Sequence, residues 1–336
     1  FDNPKSKPCI DDSSVSITRD ANKCILCGDC VRVCNEVQNV GAIDFAFRGS
    51  KMKVACSFDK PIGDSNCVGC GQCAAVCPTG AITVKIIKND SHRLWKELNQ
   101  EDTIAVAQVA PAVRVAVAKE FGYNGENVMG KIVAALRRIG FNYIFDTSTA
   151  ADLTVMEESK EFADRLANGG KLPLFTSCCP AWSVMAKKLF PTLAPYISMA
   201  LTPMVLTARM LKKDDPDACI AFIGPCAAKK LEASRRTIRS DVDFVLTFEE
   251  LMGMFNAKGV TFEDITDEEK VDLCEGTGDG RGFAVSGGVA KAVADVIHKL
   301  DPEREVKVVS AQGLKDCRKL LTLAKAGKYD GYLLEG

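Results

Sequence analysis

The sequence CILCGDCVRVC at residues 24–34 decides the first part of the fold, and it returns in altered form as CVGCGQCAAVCP at residues 67–78. Both stretches follow the spacing C-x2-C-x2-C-x3-C, and together they hold eight of the chain's 16 cysteines. Gaps of this kind are typical of metal ligands, whereas disulfide frameworks are typical of small secreted domains that bury too little core. The spacing therefore predicts two metal-binding loops rather than covalent crosslinks.

The doubled run resembles that of bacterial two-cluster ferredoxins, in which the fourth cysteine of each run ligates the other cluster. The resemblance implies a first [4Fe-4S] cluster ligated by Cys24, Cys27, Cys30 and Cys77. It implies a second [4Fe-4S] cluster ligated by Cys67, Cys70, Cys73 and Cys34. Zinc is the alternative, and it is disfavoured because zinc sites prefer paired C-x2-C knuckles with four ligands in all. The similar segments VGAI (40–43) and TGAI (79–82) predict a turn and a short strand after each run.

The bulk properties of the 336-residue chain narrow the function classes. Its hydrophobic content of 47% is enough for a sizeable core in two or three domains. The net charge of −1 gives no electrostatic footprint for nucleic acid. No apolar run reaches the roughly 20 residues of a membrane-spanning helix, and the polar start lacks a signal-peptide core, so we expect no membrane insertion. Thiolate ligands for iron–sulfur clusters favour a reducing compartment, so we expect the cytoplasm of an anaerobic bacterium.

From about Thr103 onward, apolar runs alternate with helical patterns. We predict helices over 130–139 and 156–166, and strands over 103–111, 141–146, 171–175, 219–223, 306–310 and 331–334. Alternating strands and helices predict an α/β domain with a largely parallel sheet. We therefore divide the chain into an N-terminal tail (1–16), a two-cluster [4Fe-4S] ferredoxin-like domain (17–88) and an α/β domain (89–336).

Three cysteines of the larger domain follow directly on predicted strands. Cys178 and Cys179 come after the strand at 171–175, and Cys226 comes after the strand at 219–223. In open α/β sheets the ligand site lies beyond the carboxyl ends of the strands, so we expect a shared metal site there. The alternative is that they are buried structural thiols, which are common. Adjacent cysteines in front of a proline and a tryptophan fit that alternative poorly.

The loops around these cysteines resemble the signatures of iron–iron ([FeFe]) hydrogenases. TSCCPAW at 176–182 resembles the first signature, and GPCAAKKLE at 224–232 resembles the second. With the ferredoxin run as the usual accessory domain, the resemblance covers about residue 17 to the end. It implies an α+β ferredoxin-like N-terminal domain and an α/β hydrogenase large-subunit catalytic domain with largely parallel sheets. It also implies a ferredoxin-dependent oxidoreductase that reversibly reduces protons to H2, with electrons delivered through [4Fe-4S] clusters.

The resemblance further implies an H-cluster, a [4Fe-4S] cubane joined to a di-iron unit that carries CO, CN and a dithiolate. Cys179 and Cys226 would ligate the cubane. Lys229 would donate a hydrogen bond to a cyanide, as a cation does to an anionic ligand. Ala112 stands where many members of the family carry a serine near a cyanide, and we assign Pro111 beside it to the same cofactor contact.

The family has a third signature, E-x-M-A-C-x-G-G-C, which supplies two further cubane ligands. Glu335 and Gly336 resemble its first two residues. We therefore expect a chain that is truncated before the missing cysteines, and we expect that it cannot hold the complete H-cluster and is inactive as it stands. The implied partners of the full-length protein are ferredoxin or a similar small electron carrier, and maturation proteins for the di-iron unit.

A proton path is also implied by the resemblance. Glu158, Glu161 and Arg165 share one face of a predicted helix. By themselves they read as a solvated acidic stripe. The family carries protons through two glutamates and a serine to a cysteine that does not ligate, and this implies the order Cys178, Glu158, Ser198, Glu161 and the surface near Arg165. Such groups must lie within hydrogen-bond reach of one another or one water apart.

Five cysteines and one glycine-rich segment remain outside these motifs. We expect buried thiols at the five positions that lack ligand spacing, which are Cys9, Cys56, Cys219, Cys274 and Cys317. The segment GTGDGRGFAVSGG at 276–288 lacks the phosphate-loop pattern. We predict a loop and a tight helix entry beside the metal site.

Three other functions compete with a hydrogenase. A hydrogen sensor would use the same site at low turnover. A non-catalytic relative, such as the iron–sulfur assembly factors of the same superfamily, generally lacks the cysteine that corresponds to Cys178. A plain electron-transfer module leaves the α/β domain unexplained.

Overall fold

The computed structural model describes residues 10–85, 90–100, 102–123, 128–176, 178–234, 240–266 and 276–336. Its first part contains five short strands and two short helices: β1 (Ile10–Asp11), β2 (Ile17–Asp20), α1 (Asp29–Arg32), β3 (Asp44–Ala46), β4 (Lys53–Ala55), α2 (Gln72–Ala75) and β5 (Ile82–Val84). The strands form an antiparallel sheet of order β1-β2-β5 and a separate antiparallel β3–β4 hairpin. Residues 10–11 of the predicted N-terminal tail (1–16) therefore belong to this sheet as β1. The predicted domain boundaries stay predictions.

The two cysteine runs fold in the same way. Each reaches a short helix through a glycine with positive φ, Gly28 at +81° before α1 and Gly71 at +78° before α2. Each run is followed by one of the predicted strands, β3 or β5. The repeat seen in the sequence therefore corresponds to a repeated loop–helix–strand unit.

The larger part alternates helices and strands, as predicted. Its elements are α3 (Asp90–Leu98), β6 (Ala105–Val109), α4 (Val113–Glu120), α5 (Met129–Ile139), β7 (Tyr143–Asp146), α6 (Ser148–Ala167), β8 (Leu174–Phe175), α7 (Pro180–Leu189), α8 (Pro203–Asp214), β9 (Cys219–Ile223), α9 (Ala228–Ala233), β10 (Phe244–Leu246), α10 (Phe248–Lys258), α11 (Gly278–Gly282), α12 (Gly288–Leu300), β11 (Val308–Ser310), α13 (Leu314–Lys325) and β12 (Leu333–Glu335).

The strands of this part form two parallel sheets. One has the order β10-β9-β6-β7, and the other has the order β11-β12-β8. Every residue of β6 and of β9 is buried, as expected for parallel strands covered by helices on both faces. The α/β domain with largely parallel sheets is confirmed. The loop with Cys178 and Cys179 follows β8, and the loop with Cys226 follows β9. These two strands belong to different sheets, so the two loops leave different sheets.

Two other expectations need correction. The helix predicted over 156–166 begins at Ser148, where the Asp146 carboxylate accepts a hydrogen bond (2.9 Å) from the Ser148 amide. Its first turns were missed because their small residues show no apolar periodicity. The segment 276–288 was predicted as a loop and a tight helix entry. It enters α12 at Gly288 as predicted, but its first part forms the helical turn α11, whose Thr277 hydroxyl accepts a hydrogen bond from the Gly280 amide.

The expected buried thiols are confirmed where the structure describes them. Cys56, Cys219 and Cys317 are buried. Cys9 and Cys274 lie outside the described residues. No helix within the described ranges is both long and apolar enough to cross a membrane.

The ferredoxin-like part packs directly on the larger part. Val40, Ala42 and Val68 share an apolar cluster with Trp182 and Met185 of α7. The Lys188 ammonium donates hydrogen bonds to the carbonyls of Ser65 (2.9 Å) and Cys67 (2.8 Å). The Arg318 guanidinium of α13 donates to the carbonyl of Asn39 (2.6 Å). Helices α7 and α13 therefore fix the position of the cysteine runs.

Candidate metal centres and active site

The first predicted ligand set surrounds one cavity. Cys24, Cys27, Cys30 and Cys77 all line a cavity of about 120 Å³. Three of these cysteines come from the first run and the fourth comes from the second. Four soft thiol donors around a common space fit an iron–sulfur cluster, since thiolates are the ligands of such clusters.

The second predicted set surrounds a narrower cavity, whose other lining is largely apolar. Cys34, Cys67, Cys70 and Cys73 line it together, again in the exchanged arrangement. Within the described ranges, no three Cys, His, Asp or Glu side chains form a group that could hold a single metal ion. The cysteines of the two runs instead face two shared spaces, as the ligands of a multi-iron cluster must.

Backbone amides point at three of these sulfurs. The amides of Ala42, Gly69 and Ile82 donate to the sulfurs of Cys34, Cys67 and Cys77 respectively, each over 3.4 Å. Ala42 and Ile82 belong to the repeated VGAI and TGAI segments. These segments therefore supply amide donors to the fourth cysteine of each run, a role that the sequence comparison did not assign to them.

The thiols differ in how readily they ionise. Burial, with the neighbouring Cys24 and Cys27, raises the pKa of Cys30 to about 11. Burial likewise raises the pKa of Cys70 to about 11. Burial opposes ionisation of Cys77 as well, but amide hydrogen bonds from Ile82 and Thr79 outweigh it and lower its pKa. The buried thiols of Cys30 and Cys70 must therefore lose a proton when a metal binds, so cluster loading releases protons.

The third site lies at the junction of the two parallel sheets. Cys178 and Cys179 lie between β8 and α7, and Cys179 is the N-cap residue of α7. Cys226 lies between β9 and α9. The thiols of Cys179 and Cys226 are close enough to interact electrostatically. Burial is the larger cause of the raised pKa of Cys179, and the interaction with Cys226 is the second.

Lys229 holds a positive charge inside this site. Its ammonium donates hydrogen bonds to the Cys178 carbonyl (3.1 Å) and to the Glu232 carboxylate (2.7 Å). Burial by itself lowers the pKa of Lys229. The Glu232 carboxylate and the nearby cysteines raise it by a larger amount, so the pKa of Lys229 lies above its ordinary value. The other Glu232 oxygen accepts a hydrogen bond from Thr202 (2.8 Å). Lys229 is therefore a fixed cation next to Cys178, suited to an anionic ligand.

Pro111 and Ala112 lie at the same edge of the sheet as Cys226. They follow β6, which pairs with β9. The Ala110 amide donates to the Ile223 carbonyl (2.9 Å), so the two loops leave the sheet side by side. A Cβ atom added to Gly224 would lie 3.4 Å from the Ala110 Cβ. The predicted cofactor contacts thus neighbour the loop that carries Cys226.

The last two residues bring the third signature to the first. Strand β12 pairs with β8, with Leu334 opposite Phe175. Gly336 lies against the Trp182 indole so closely that a Cβ atom would be 2.1 Å from Nε1, which leaves room for glycine alone. The Glu335 carboxylate accepts hydrogen bonds from the amides of Gly287 (3.0 Å) and Ala290 (2.8 Å) at the start of α12.

The sequence analysis placed the glycine-rich segment 276–288 beside the metal site, but it did not predict the hydrogen bonds that hold Glu335 there. Burial raises the pKa of Glu335, and the amides oppose that shift. The only sequence sign of the contact was a glycine-rich helix entry, which is a frequent partner for an acidic group.

Three of the proton-path residues, Glu158, Glu161 and Arg165, lie on α6, while Cys178 precedes α7 and Ser198 precedes α8. Ser198 donates a hydrogen bond to Glu161 (2.9 Å), and Arg165 pairs with the other Glu161 oxygen (2.5 Å). Glu158 lies further in and is 2% exposed. Burial, reinforced by the negative charges of Cys179, Glu335 and Glu158, raises the pKa of Cys178. The outer three groups form one hydrogen-bonded chain, and Glu158 is within electrostatic reach of the Cys178 thiol.

The second cavity and the third site are neighbours. Cys34, Cys67 and Cys70 pack against the same apolar cluster as Cys179 and Cys226. A Cβ atom added to Gly71 would lie 3.0 Å from the Cβ of Ala227, the residue after Cys226. The ferredoxin-like part therefore presents its second ligand set, and not its first, to the larger domain.

Comparisons with known proteins agree with this arrangement. Residues 103–336 match the family described as iron only hydrogenase large subunit, C-terminal domain, and residues 23–81 match the 4Fe-4S dicluster domain. The chain is 36% identical over 327 residues to the NADP-reducing hydrogenase subunit HndD of Solidesulfovibrio fructosivorans, covering 90% of this chain and 55% of the relative. It is 32% identical over 304 residues to iron hydrogenase 1 of Clostridium pasteurianum, covering 86% and 52%.

A third relative has a different description. Cytosolic iron-sulfur assembly component 3 of Bos taurus is 31% identical over 235 residues, covering 62% of this chain and 48% of that protein. The chain thus spans about half the length of these three curated relatives.

A solved structure also resembles the fold. The apo [FeFe]-hydrogenase of Chlamydomonas reinhardtii superposes with a TM-score of 0.60 at 27% identity, covering 73% of this chain and 80% of the other. The ferredoxin-like architecture predicted from the doubled cysteine run is confirmed, and so are the parallel sheets predicted from alternating strands and helices. The iron–sulfur and oxidoreductase character of the family is confirmed as well. On the match over residues 103–336, together with the convergence of its signature loops, this chain belongs to the iron-only hydrogenase large-subunit family.

Proposed function

We propose that the full-length protein is an [FeFe] hydrogenase that reversibly reduces protons to H2 with electrons from a ferredoxin-type carrier. The observation that carries the proposal is the meeting of three distant segments at one site. The loop with Cys178 and Cys179, the loop with Cys226 and Lys229, and the Glu335–Gly336 end all converge there.

The cysteine sets supply the proposed metal ligands. Cys24, Cys27, Cys30 and Cys77 would hold one [4Fe-4S] cluster, and Cys34, Cys67, Cys70 and Cys73 would hold a second. Cys179 and Cys226 would ligate the cubane of the H-cluster, with Pro111, Ala112 and Lys229 facing its di-iron unit. When bound, the H-cluster supplies an iron site for the two-electron interconversion of protons and H2. Its assembly would require maturation proteins as partners.

The chain's own part in the reaction is to deliver protons. Burial raises the pKa of the Cys178 thiol, so this group would hold a proton until it is passed to the active site, and it would then be recharged. Recharging would pass from Glu161, hydrogen-bonded to Ser198 and paired with Arg165, through Ser198 to Glu158. The Lys229 ammonium fixes the Cys178 backbone by its hydrogen bond and offers a positive charge to an anionic ligand.

The proposal is tested by hydrogen evolution from reduced methyl viologen, with the full-length protein matured with its di-iron unit. Cys178→Ala should slow H2 formation by about a hundredfold or more, because the last proton donor is lost. Cys317→Ala is the matched control, since this buried thiol packs against the same apolar cluster without a predicted role. The control variant should keep most of the activity.

A second candidate is a non-catalytic iron–sulfur protein, which the similarity to cytosolic iron-sulfur assembly component 3 favours. Absence of H2 from a protein with its full iron complement would support that candidate and overturn the hydrogenase proposal. Equal loss in Cys178→Ala and Cys317→Ala would remove Cys178 from the proton path. A reducing, anaerobic cytoplasm suits either candidate, because oxygen attacks thiolate-bound clusters.

A further inference from the structure

The β3–β4 hairpin exposes an unusual number of aromatic side chains. Phe58 is 93% exposed, Phe47 is 57% exposed and Phe45 is 43% exposed. All three lie on or beside one short hairpin. Large apolar groups grouped on a surface in this way mark interaction sites more often than isolated ones do.

Two of these aromatic residues also have strained backbones. Phe47 has φ of +65° and Phe58 has φ of +59°, a region that bulky side chains rarely occupy. Such conformations cost of the order of 1–3 kcal/mol and persist where the surroundings impose them, often at binding sites. The fold leaves most of the Phe47 and Phe58 side chains uncovered, so both rings are accessible to a partner.

Basic side chains surround these rings. Residues 44–60 contain four basic and two acidic residues, and Lys53 pairs with Asp59 at 2.7 Å. Lys60 lies over the Phe58 ring, with its ammonium 6.0 Å from the centroid. Across the described part of the chain, neither Lys51 nor Lys60 takes part in a salt bridge. An apolar centre with a basic rim fits an acidic protein surface.

The hairpin also borders the first cysteine cavity. Met52, Lys53 and Val54 line that cavity together with its four cysteines. The Phe45 ring lies 3.1 Å from the position of a Cβ atom on Gly28, which precedes the helix carrying Cys30. Cys27 of the same set is exposed. The first cavity is therefore the one that this surface adjoins, while the second faces the larger domain.

We propose that Phe45, Phe47, Phe58, Lys51 and Lys60, here called the hairpin patch, form the docking surface for a small acidic ferredoxin. This inference rests on the proposed function and specifies where its electron carrier binds. One electron would pass from the reduced cluster of the ferredoxin, which would be oxidised, to the [4Fe-4S] cluster that Cys24, Cys27, Cys30 and Cys77 would hold, which would be reduced. No atom is transferred. A one-electron carrier is required because such a cluster takes up electrons singly.

The test measures electron entry without relying on hydrogen production. The full-length protein with its [4Fe-4S] clusters is mixed with a reduced, acidic two-cluster ferredoxin, and cluster reduction is followed by stopped-flow absorbance. Phe58→Asn/Lys60→Glu should lower the second-order rate constant by about tenfold at low salt, and it should flatten its salt dependence. Asparagine is chosen because it tolerates positive φ.

The matched control is Leu300→Asn/Lys299→Glu, which makes the same changes at exposed residues of α12. It should keep the wild-type rate constant and salt dependence. Electron paramagnetic resonance of the dithionite-reduced clusters establishes that both variants are loaded. An unchanged rate in the hairpin variant, or an equal fall in the control, would overturn the docking proposal.

Hydrogen assays then separate this inference from the proposed function. In the matured protein, the ratio of ferredoxin-driven to viologen-driven H2 evolution should fall about tenfold in the hairpin variant. If no variant makes H2 with viologen while ferredoxin still reduces the clusters through the hairpin patch, the hydrogenase proposal fails and the docking surface stands. If viologen-driven activity is present and the ratio does not change, the docking surface fails.

Discussion

The two cysteine-rich parts of this chain assemble their sites by opposite routes. In the ferredoxin-like part, two short runs supply all eight predicted ligands, and neighbouring amides support them. In the larger part, the site is assembled from loops that leave two different sheets and from the end of the chain. A site built from local spacing depends on its own loops, whereas a site built from distant segments depends on whatever fixes those segments.

What fixes the larger site is largely buried charge. Lys229 pairs with Glu232, and the next residue, Lys230, is fully buried and pairs with Glu250 of α10 at 2.6 Å. The two adjacent lysines of the second signature therefore do different things. Lys229 faces the site, while Lys230 ties α9 to the rest of the domain. The following variants test the contrast between the two parts, in order of expected effect.

Removing one ligand from the ferredoxin-like part should abolish a whole cluster. Cys34→Ser takes away the fourth ligand of the second set, so iron content should fall by about four atoms per chain. Metal analysis and electron paramagnetic resonance measure the loss. Cys56→Ser is the control, because Cys56 is a buried thiol of the same region outside both sets. If Cys56→Ser loses the same iron and Cys34→Ser loses none, the ligand assignment is wrong.

Removing the buried cation of the larger part should destabilise its fold and spare the clusters of the first part. Lys230→Met leaves the Glu250 carboxylate without its cationic partner, although the Thr247 amide still donates to it, and should lower the free energy of unfolding by about 3 kcal/mol. Urea unfolding followed by tryptophan fluorescence measures it. In Lys291→Met, which removes an exposed pair with Asp295, the urea midpoint should barely move. Equal midpoints in the two variants would show that the buried pair does not hold α9.

Interrupting the proton path should have the smallest effect. Ser198→Ala removes the hydroxyl that donates to Glu161, so H2 evolution should slow by about tenfold while stability is retained. The solvent isotope effect on the rate should rise, because proton transfer becomes more limiting. Ser183→Ala is the control, since among the described residues its hydroxyl donates a hydrogen bond only to the Pro180 carbonyl within α7. A variant at Ser198 with wild-type rate and isotope effect would rule out this route.

The contrast also explains which features could be read from the sequence. Strand β9 was predicted to the residue, and the strand predicted over 103–111 contains β6, because continuous apolar runs have one interpretation in an α/β pattern. Only the second half of helix α6 was predicted, because its first turns bury small residues against α11 and show no apolar periodicity. The role of the 276–288 segment in binding Glu335 was missed, since a hydrogen bond between residues so far apart leaves no local pattern.

From the sequence by itself, the spacing of the two cysteine runs predicted the metal chemistry of the first part, while the exchange of the fourth cysteine between the runs was implied by the resemblance to two-cluster ferredoxins. The sequence also determined which loops of the larger part carry reactive residues, since each follows an apolar strand. A shared site for the loops of Cys178, Cys179 and Cys226 was expected from their places after strands, but only the tertiary structure decided the contacts made there: the register of β12 beside β8 brings Gly336 against Trp182, and α9 brings Lys229 to Cys178. It alone decided which cysteine set faces the larger domain and which adjoins the hairpin patch. Such contacts depend on how elements pack in three dimensions, and no local spacing encodes them.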